Sequence, residues 1–131
     1  MNVFRRLWLG SPPLKGIAAA CVAGAIAKAV RYHVIEPEAL GAICRGADAP
    51  AWCHARTGLI VFLQAVGFGH LALALALASY WLSWSLARHA AFWAVVLAGA
   101  GFHLYDATFS GLAMVAALLR LVRGEGESQQ A

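Results

Sequence analysis

Thr57 to Ala87 reads TGLIVFLQAVGFGHLALALALASYWLSWSLA, 31 residues without an Asp, Glu, Lys or Arg. A helix rises about 1.5 Å per residue and a hydrocarbon layer takes about 20 apolar residues, so the run is longer than one crossing needs. From Leu71 to Ala78 leucine and alanine alternate with a strand-like period of two. An isolated strand would leave its backbone unpaired in lipid, so the segment reads as helix. The surplus falls at the end, where Tyr80, Trp81 and Trp84 suit an interfacial aromatic belt and Ser83 and Ser85 a turn before Arg88. This places a span at about 57–82.

The rest of the chain has the same character. Of its 131 residues, 62% are hydrophobic and 12% charged, against about 45–50% and about 25% in soluble domains. Too few polar residues remain to cover a water-facing surface, which excludes a secreted disulfide scaffold, a disordered tail and a conventional water-soluble enzyme. Upstream, a first span at about 14–35 starts after Pro12 and Pro13. Its uncharged core, Gly16 to Ala27, is short, so Lys28 and Arg31 must snorkel to an interface. Downstream, Asp106 alone interrupts the stretch from His89 to Leu119. A tight turn at Tyr105-Asp106-Ala107 divides it into spans at about 86–105 and 108–122, with Asp106 capping the last helix. The expected fold is all-α: one transmembrane domain, a four-helix bundle with a short helical periplasmic loop at 36–56 and a polar tail at 124–131.

Orientation follows from Lys and Arg near the spans. With the amino terminus inside, the cytoplasmic face carries Arg5, Arg6, Lys15, Arg88, Arg120 and Arg123, and the outer face Lys28, Arg31, Arg45 and Arg56 together with Glu36, Glu38, Asp48 and Asp106. Both termini are expected in the cytoplasm of a bacterium, with the chain multi-pass in its inner membrane. An alternative reads Arg5, Arg6, the apolar run and Ala25-Ile26-Ala27 as a cleavable signal peptide. The small residues of the first span, which suit helix packing, argue for its retention. The net charge of +4 is accounted for by membrane orientation and requires no nucleic acid.

In the outer loop, Glu36-Pro37-Glu38 starts a short helix that ends at Arg45-Gly46, and Ala49-Pro50 restarts one leading into the second span. Cys44 and Cys53 fall on either side of the intervening turn. In an oxidising periplasm a structural disulfide between them is the preferred reading, ahead of free thiols or a redox pair. Redox catalysis favours closer spacing, as in Cys-x-x-Cys. Cys21, deep in the first span, is expected to be a buried, inert thiol.

The five histidines raise haem b or a metal as alternatives, with His33 and His103 forming an outer-leaflet pair. No Cys-x-x-Cys-His attachment sequence is present, and the preferred expectation is no cofactor, no metal and no catalytic set. Gln64, Gly67 and His70 make a row on one flank of the second helix, an interhelical polar contact where small residues permit close approach. Lys28, Arg31 and Tyr32 share one face of the first helix, and His103 and Asp106 one face of the third. If these meet, Lys28 or Arg31 pairs with Asp106, or the cluster forms a cationic pocket for an anionic lipid head group or a quinone. Gly16, Ala20 and Gly24 repeat every four residues and form a ridge suited to another membrane protein or to self-association.

Val34-Ile35-Glu36-Pro37-Glu38-Ala39-Leu40-Gly41, then Cys44, Ala51-Trp52-Cys53 and Leu104-Tyr105-Asp106-Ala107, resembles small four-span inner-membrane proteins of proteobacteria that are themselves uncharacterised. The resemblance covers the outer loop and the third turn and implies no activity. Small multidrug exporters fit poorly, because they need an acidic residue in a first span that here holds only Lys28 and Arg31. The leading functional expectation is an accessory or scaffold subunit bound to a larger membrane protein. The alternatives are a redox or haem b electron carrier, and a carrier or binder of an anionic lipid or quinone at the outer leaflet.

Overall fold

Proline's fixed φ and missing N–H suit the first positions of a helix, and α1 (Pro12–Val30) begins on the Pro12-Pro13 pair. The computed structural model describes residues 10–130, which form helices joined by short turns, with no strand among them. A π-helical turn, Arg31–Ile35, continues α1. There follow α2 (Glu38–Arg45), α3 (Trp52–Ala65), α4 (Gly67–Ala78), α5 (Trp84–Gly101) and α6 (Ala107–Gln130). Two of these elements, Pro12–Ile35 and Ala107–Gly126, are each long and apolar enough to cross a membrane, and α3 with α4 makes a third candidate if the bent pair is one span. Arg5 and Arg6 lie outside the described residues.

The bundle is built on α5, against which α1, α4 and α6 all pack. Its contact faces are stripes of small residues at helical spacing. Ala87, Ala91, Ala94 and Ala98 on α5 are fully buried, as are Ala72 and Ala76 on α4 and Ser110, Ala113 and Ala117 on α6. Small side chains at these positions let the helices approach closely enough for extensive van der Waals contact. The Leu-Ala alternation of α4 follows from this: Ala72 and Ala76 face the bundle, while Leu71 and Leu77 face out.

The ridge of Gly16, Ala20 and Gly24 is buried against α5 within the chain. A Cβ on Gly99 would meet the Ala20 backbone at 2.8 Å, and one on Gly24 would stand 3.1 Å from the Gly99 carbonyl oxygen. This corrects the expectation that the ridge serves another protein, since α5 already occupies it.

The largest departure from the expected spans is in the second. The stretch 57–82 is not one helix: α3 and α4 meet at a 51° bend, with Val66 between them and Gly67 at φ +66°. The third helix ends at Gly101 rather than at 105, and α6 continues through Gly124 into the segment expected to be a polar tail.

Polar side chains finish the helix ends, where backbone groups lack partners. At the end carrying the loop, Arg56 donates to the carbonyls of Val34 at 2.8 Å and Ile35 at 2.6 Å, closing the π turn. The Cys44–Cys53 disulfide is formed, with a Cα separation of 5.5 Å, and ties α2 to the start of α3. At the opposite end, Arg120 donates to the Ser79 carbonyl at 3.1 Å and lies 4.9 Å from the Trp84 ring. Tyr80 donates to the Ala116 carbonyl at 2.9 Å. Of the expected aromatic belt, Tyr80 and Trp84 therefore hold Arg120, while Trp81 stands free at 81% exposure.

Candidate functional site

The bend between α3 and α4 interrupts the hydrogen-bond ladder and frees the first amides of α4. One of them, His70 N–H, donates to Asp106 Oδ2 at 3.1 Å, and His70 Nδ1 lies 2.9 Å from the same oxygen. With the carboxylate accepting, the imidazole carries its proton on Nδ1. Its ring lies against Phe109, centroid to centroid 4.0 Å. Asp106 is 8% exposed, so this junction is how a carboxylate is tolerated at the end of the bundle: on the positive end of a helix and beside an imidazole.

Glycine makes the junction possible. A Cβ on Gly67 would fall 2.6 Å from Asp106 Oδ2, and one on Gly69 would fall 2.5 Å from it and 2.8 Å from Ser110 Oγ. Gly101 admits the Ser110 hydroxyl in the same way. Ser110 Oγ is fully buried and has no hydrogen-bond partner among the described residues.

These contacts correct two expectations. Asp106 pairs with His70, not with Lys28 or Arg31. Nor does its side chain cap its own helix: α6 receives only the Asp106 carbonyl, which accepts from Ser110 N–H at 3.2 Å, while the carboxylate serves α4. The interhelical contact expected of Gln64 and His70 is made by His70 alone. Gln64 is exposed and lies before the bend, which breaks the row they were expected to share.

Arg31 is also engaged. Its Nε donates to Glu36 Oε1 at 2.6 Å, its Nη1 to the His103 carbonyl at 3.2 Å, and its guanidinium lies 4.3 Å from the Tyr105 ring. Tyr105 O–H donates to the same Glu36 oxygen at 3.1 Å. The hydrogen bond from Arg31 holds the Glu36 carboxyl below the usual carboxylate range, and the Tyr105 hydroxyl adds to this. Tyr105 has φ 65°, uncommon for a residue with a side chain, and the turn that carries it is clamped from both sides by Arg31 and Asp106.

The clamped turn positions His103. Between α1, α5 and α6 runs a groove of about 650 Å³ lined by Ala20, Cys21, Gly24, Lys28, Phe102 and His103 among others. The imidazole reaches into it over Gly24, where a Cβ would lie 3.2 Å from His103 Cδ2. Lys28 and His103 are both exposed, and neither forms an ion pair with a described residue. Cys21 is exposed on the same groove, which corrects its expected burial. The structure thus brings Lys28 and His103 together and withdraws Arg31 and Asp106 into structural links. Tyr32 is exposed and lies 5.7 Å from the Arg31 guanidinium.

His33 Nδ1 bonds the Ala29 carbonyl of its own helix at 2.9 Å. Among the described residues no group of three or more His, Cys, Asp or Glu is placed to hold a metal ion. No protein-family model, curated protein or solved structure matches the chain.

Proposed function

We propose that the chain is a four-pass inner-membrane protein with both termini cytoplasmic, and that its groove between α1, α5 and α6 binds an amphiphile with an anionic or hydrogen-bond-accepting head, such as an anionic lipid or a quinone. The spans are α1, the bent pair α3 with α4, α5 and α6. At 18 residues α5 is about 27 Å long, near the thickness of the hydrocarbon layer. Lys15, Arg88, Arg120 and Arg123 lie at the end where α1 and α5 begin and α4 and α6 run out, the excess expected on a cytoplasmic face.

One observation carries the binding reading. Lys28 and His103 border a groove that is otherwise apolar, and neither pairs with a carboxylate among the described residues. An unneutralised cation beside lipid is expensive, and intramembrane ionisable residues mark ligand pathways for that reason. A head group accepting from Lys28 and His103 with its tail along Ile17 and Met114 satisfies both requirements.

Cys21 provides the assay. Its alkylation by a membrane-soluble maleimide is followed on the purified protein with phosphatidylglycerol, a quinone analogue or phosphatidylcholine added. The anionic lipid or the quinone should slow alkylation severalfold and phosphatidylcholine should not, and Lys28→Gln should remove the protection. Equal rates with all three lead to rejection of the groove as a binding site.

A second reading, an accessory subunit of a larger membrane protein, is favoured by α3. Its Val61 and Phe62, with Val66 at the bend, are 57%, 40% and 40% exposed, and α3 lies largely outside the bundle. Purification in mild detergent should then recover a stoichiometric partner, and a clean monomer counts against it.

A further inference from the structure

At the opposite end of the bundle, Lys15, Arg88 and His89 line a second pocket of about 350 Å³ with Pro12, Phe92 and Leu121. We infer that this pocket binds the phosphate group of an anionic glycerophospholipid, whose upper acyl segment lies against Phe92 and Leu121. The inference concerns different residues at the other membrane face and does not rest on the groove of Lys28 and His103.

Its electrostatics are the reverse of what helix stability asks for. Anions are favoured at the start of a helix and cations at its end. Here α1 begins at the pocket and α5 passes it in its second turn, neither has an acidic residue in its first turn, and Lys15 and Arg88 both line the pocket. Neither cation is ion-paired with a described carboxylate. The positive charge of these two side chains, beside the start of α1, has no counter-ion among the described residues and is available to an external anion.

His89 borders the same pocket. Its Nδ1 lies 2.8 Å from the Ser85 carbonyl, which can only accept, so Nδ1 carries a proton and the ring is fixed. A point-charge lysine and a forked arginine are phosphate-binding chemistry. Basic pockets between membrane helices on the cytoplasmic side hold such head groups. With Pro12, Phe92 and Leu121 also lining it, the pocket favours a lipid phosphate over a free one.

The test measures equilibrium binding of fluorescent phosphatidylglycerol to the full chain in zwitterionic detergent, with phosphatidylcholine and inorganic phosphate as competitors at matched ionic strength. Unlabelled phosphatidylglycerol should compete, and the other two should not. Lys15→Gln and Arg88→Gln should each weaken binding to this site about fivefold, and together about 25-fold, as expected for cations at a membrane surface. Lys28→Gln, in the distant groove, should leave this component unchanged and remove only any second one, so failure of one site is separable from failure of the other. Circular dichroism checks that each variant folds. Unchanged affinity in the folded double variant overturns the proposal, as does equal competition by phosphatidylcholine. Full competition by inorganic phosphate overturns the lipid assignment.

Discussion

Replacing Asp106 by alanine removes two hydrogen bonds from one carboxylate oxygen, at 3.1 Å to His70 N and 2.9 Å to His70 Nδ1. The amide belongs to the first turn of α4 and has no alternative partner there, because the bend has taken the helical carbonyl out of line. Interhelical hydrogen bonds within membranes contribute about 0.6 kcal/mol on average and about 1.7 kcal/mol at most. Charge assistance and the helix end both act here, so the two bonds belong at the upper end of that range. The loss for Asp106→Ala is then about 3 kcal/mol. Asp106→Asn keeps an acceptor oxygen of the same shape and gives up the charge, for a loss of about 1–2 kcal/mol. Unfolding of the purified protein by SDS titration, followed by far-ultraviolet circular dichroism, measures both. The expected order is wild type, Asn, Ala. The reasoning is refuted if alanine lowers stability by less than about 1 kcal/mol, or if asparagine is as damaging as alanine. Either result would mean that the carboxylate does not hold the start of α4.

Gly69→Ala should destabilise the protein, since its Cβ would stand 2.5 Å from Asp106 Oδ2. The same change should cost less in an Asp106→Ala background, and a double-mutant cycle in the same unfolding assay measures the difference. Cys44→Ser with Cys53→Ser releases a crosslink nine residues apart, worth roughly 2.6 kcal/mol by chain entropy. Because α2 buries no residue, amide exchange should rise in α2 and stay unchanged in α5. Glu36, with its folded carboxyl held below the usual value, contributes stability that is full above the ordinary glutamate range and is lost as pH falls through the lowered one. Exchange at the π turn should therefore accelerate only in that acid window, and Arg31→Gln should weaken the pH dependence, leaving the smaller part due to the Tyr105 hydroxyl.

Helix type and the turns are legible in the sequence because the residues that cause them act locally. Pro12 and Pro13 start α1, Pro37 precedes α2, and Tyr105-Asp106-Ala107 interrupts an apolar run with the only acidic residue in it. The disulfide is legible too, since Cys44 and Cys53 flank one turn. The break at Val66 is not. Gly67 and Gly69 stand in the middle of 31 uncharged residues, and glycine in a membrane helix serves equally well as a packing contact. What distinguishes the two uses is a carboxylate 36 residues beyond His70, which no local pattern reveals. Charge pairing misleads for a related reason. Lys28 and Asp106 lie near the same expected membrane face on helices that could meet, but an amide freed by the bend and an imidazole beside it satisfy Asp106 in place of any cation on α1. For the small-residue ridge the periodicity is read correctly and the partner is not, because α5 carries its own complementary face of Gly99, Val95 and the buried alanines.

The bend and the carboxylate depend on each other, and that dependence reaches the groove. In an unbroken second span His70 N–H would bond the carbonyl four residues earlier, leaving Asp106 as a buried charge with one imidazole for company. Without Asp106, the His70 amide in the first turn of α4 would lose its hydrogen-bond acceptor. The pair therefore fixes where the chain turns between α5 and α6, and that turn carries both His103 and Tyr105. Arg31 and Glu36 clamp the same turn from α1. Two residues that look like ligand groups in the sequence, Arg31 and Asp106, thus act by setting the position of a third, and the cation left over, Lys28, is the one that His103 is held against the groove to join.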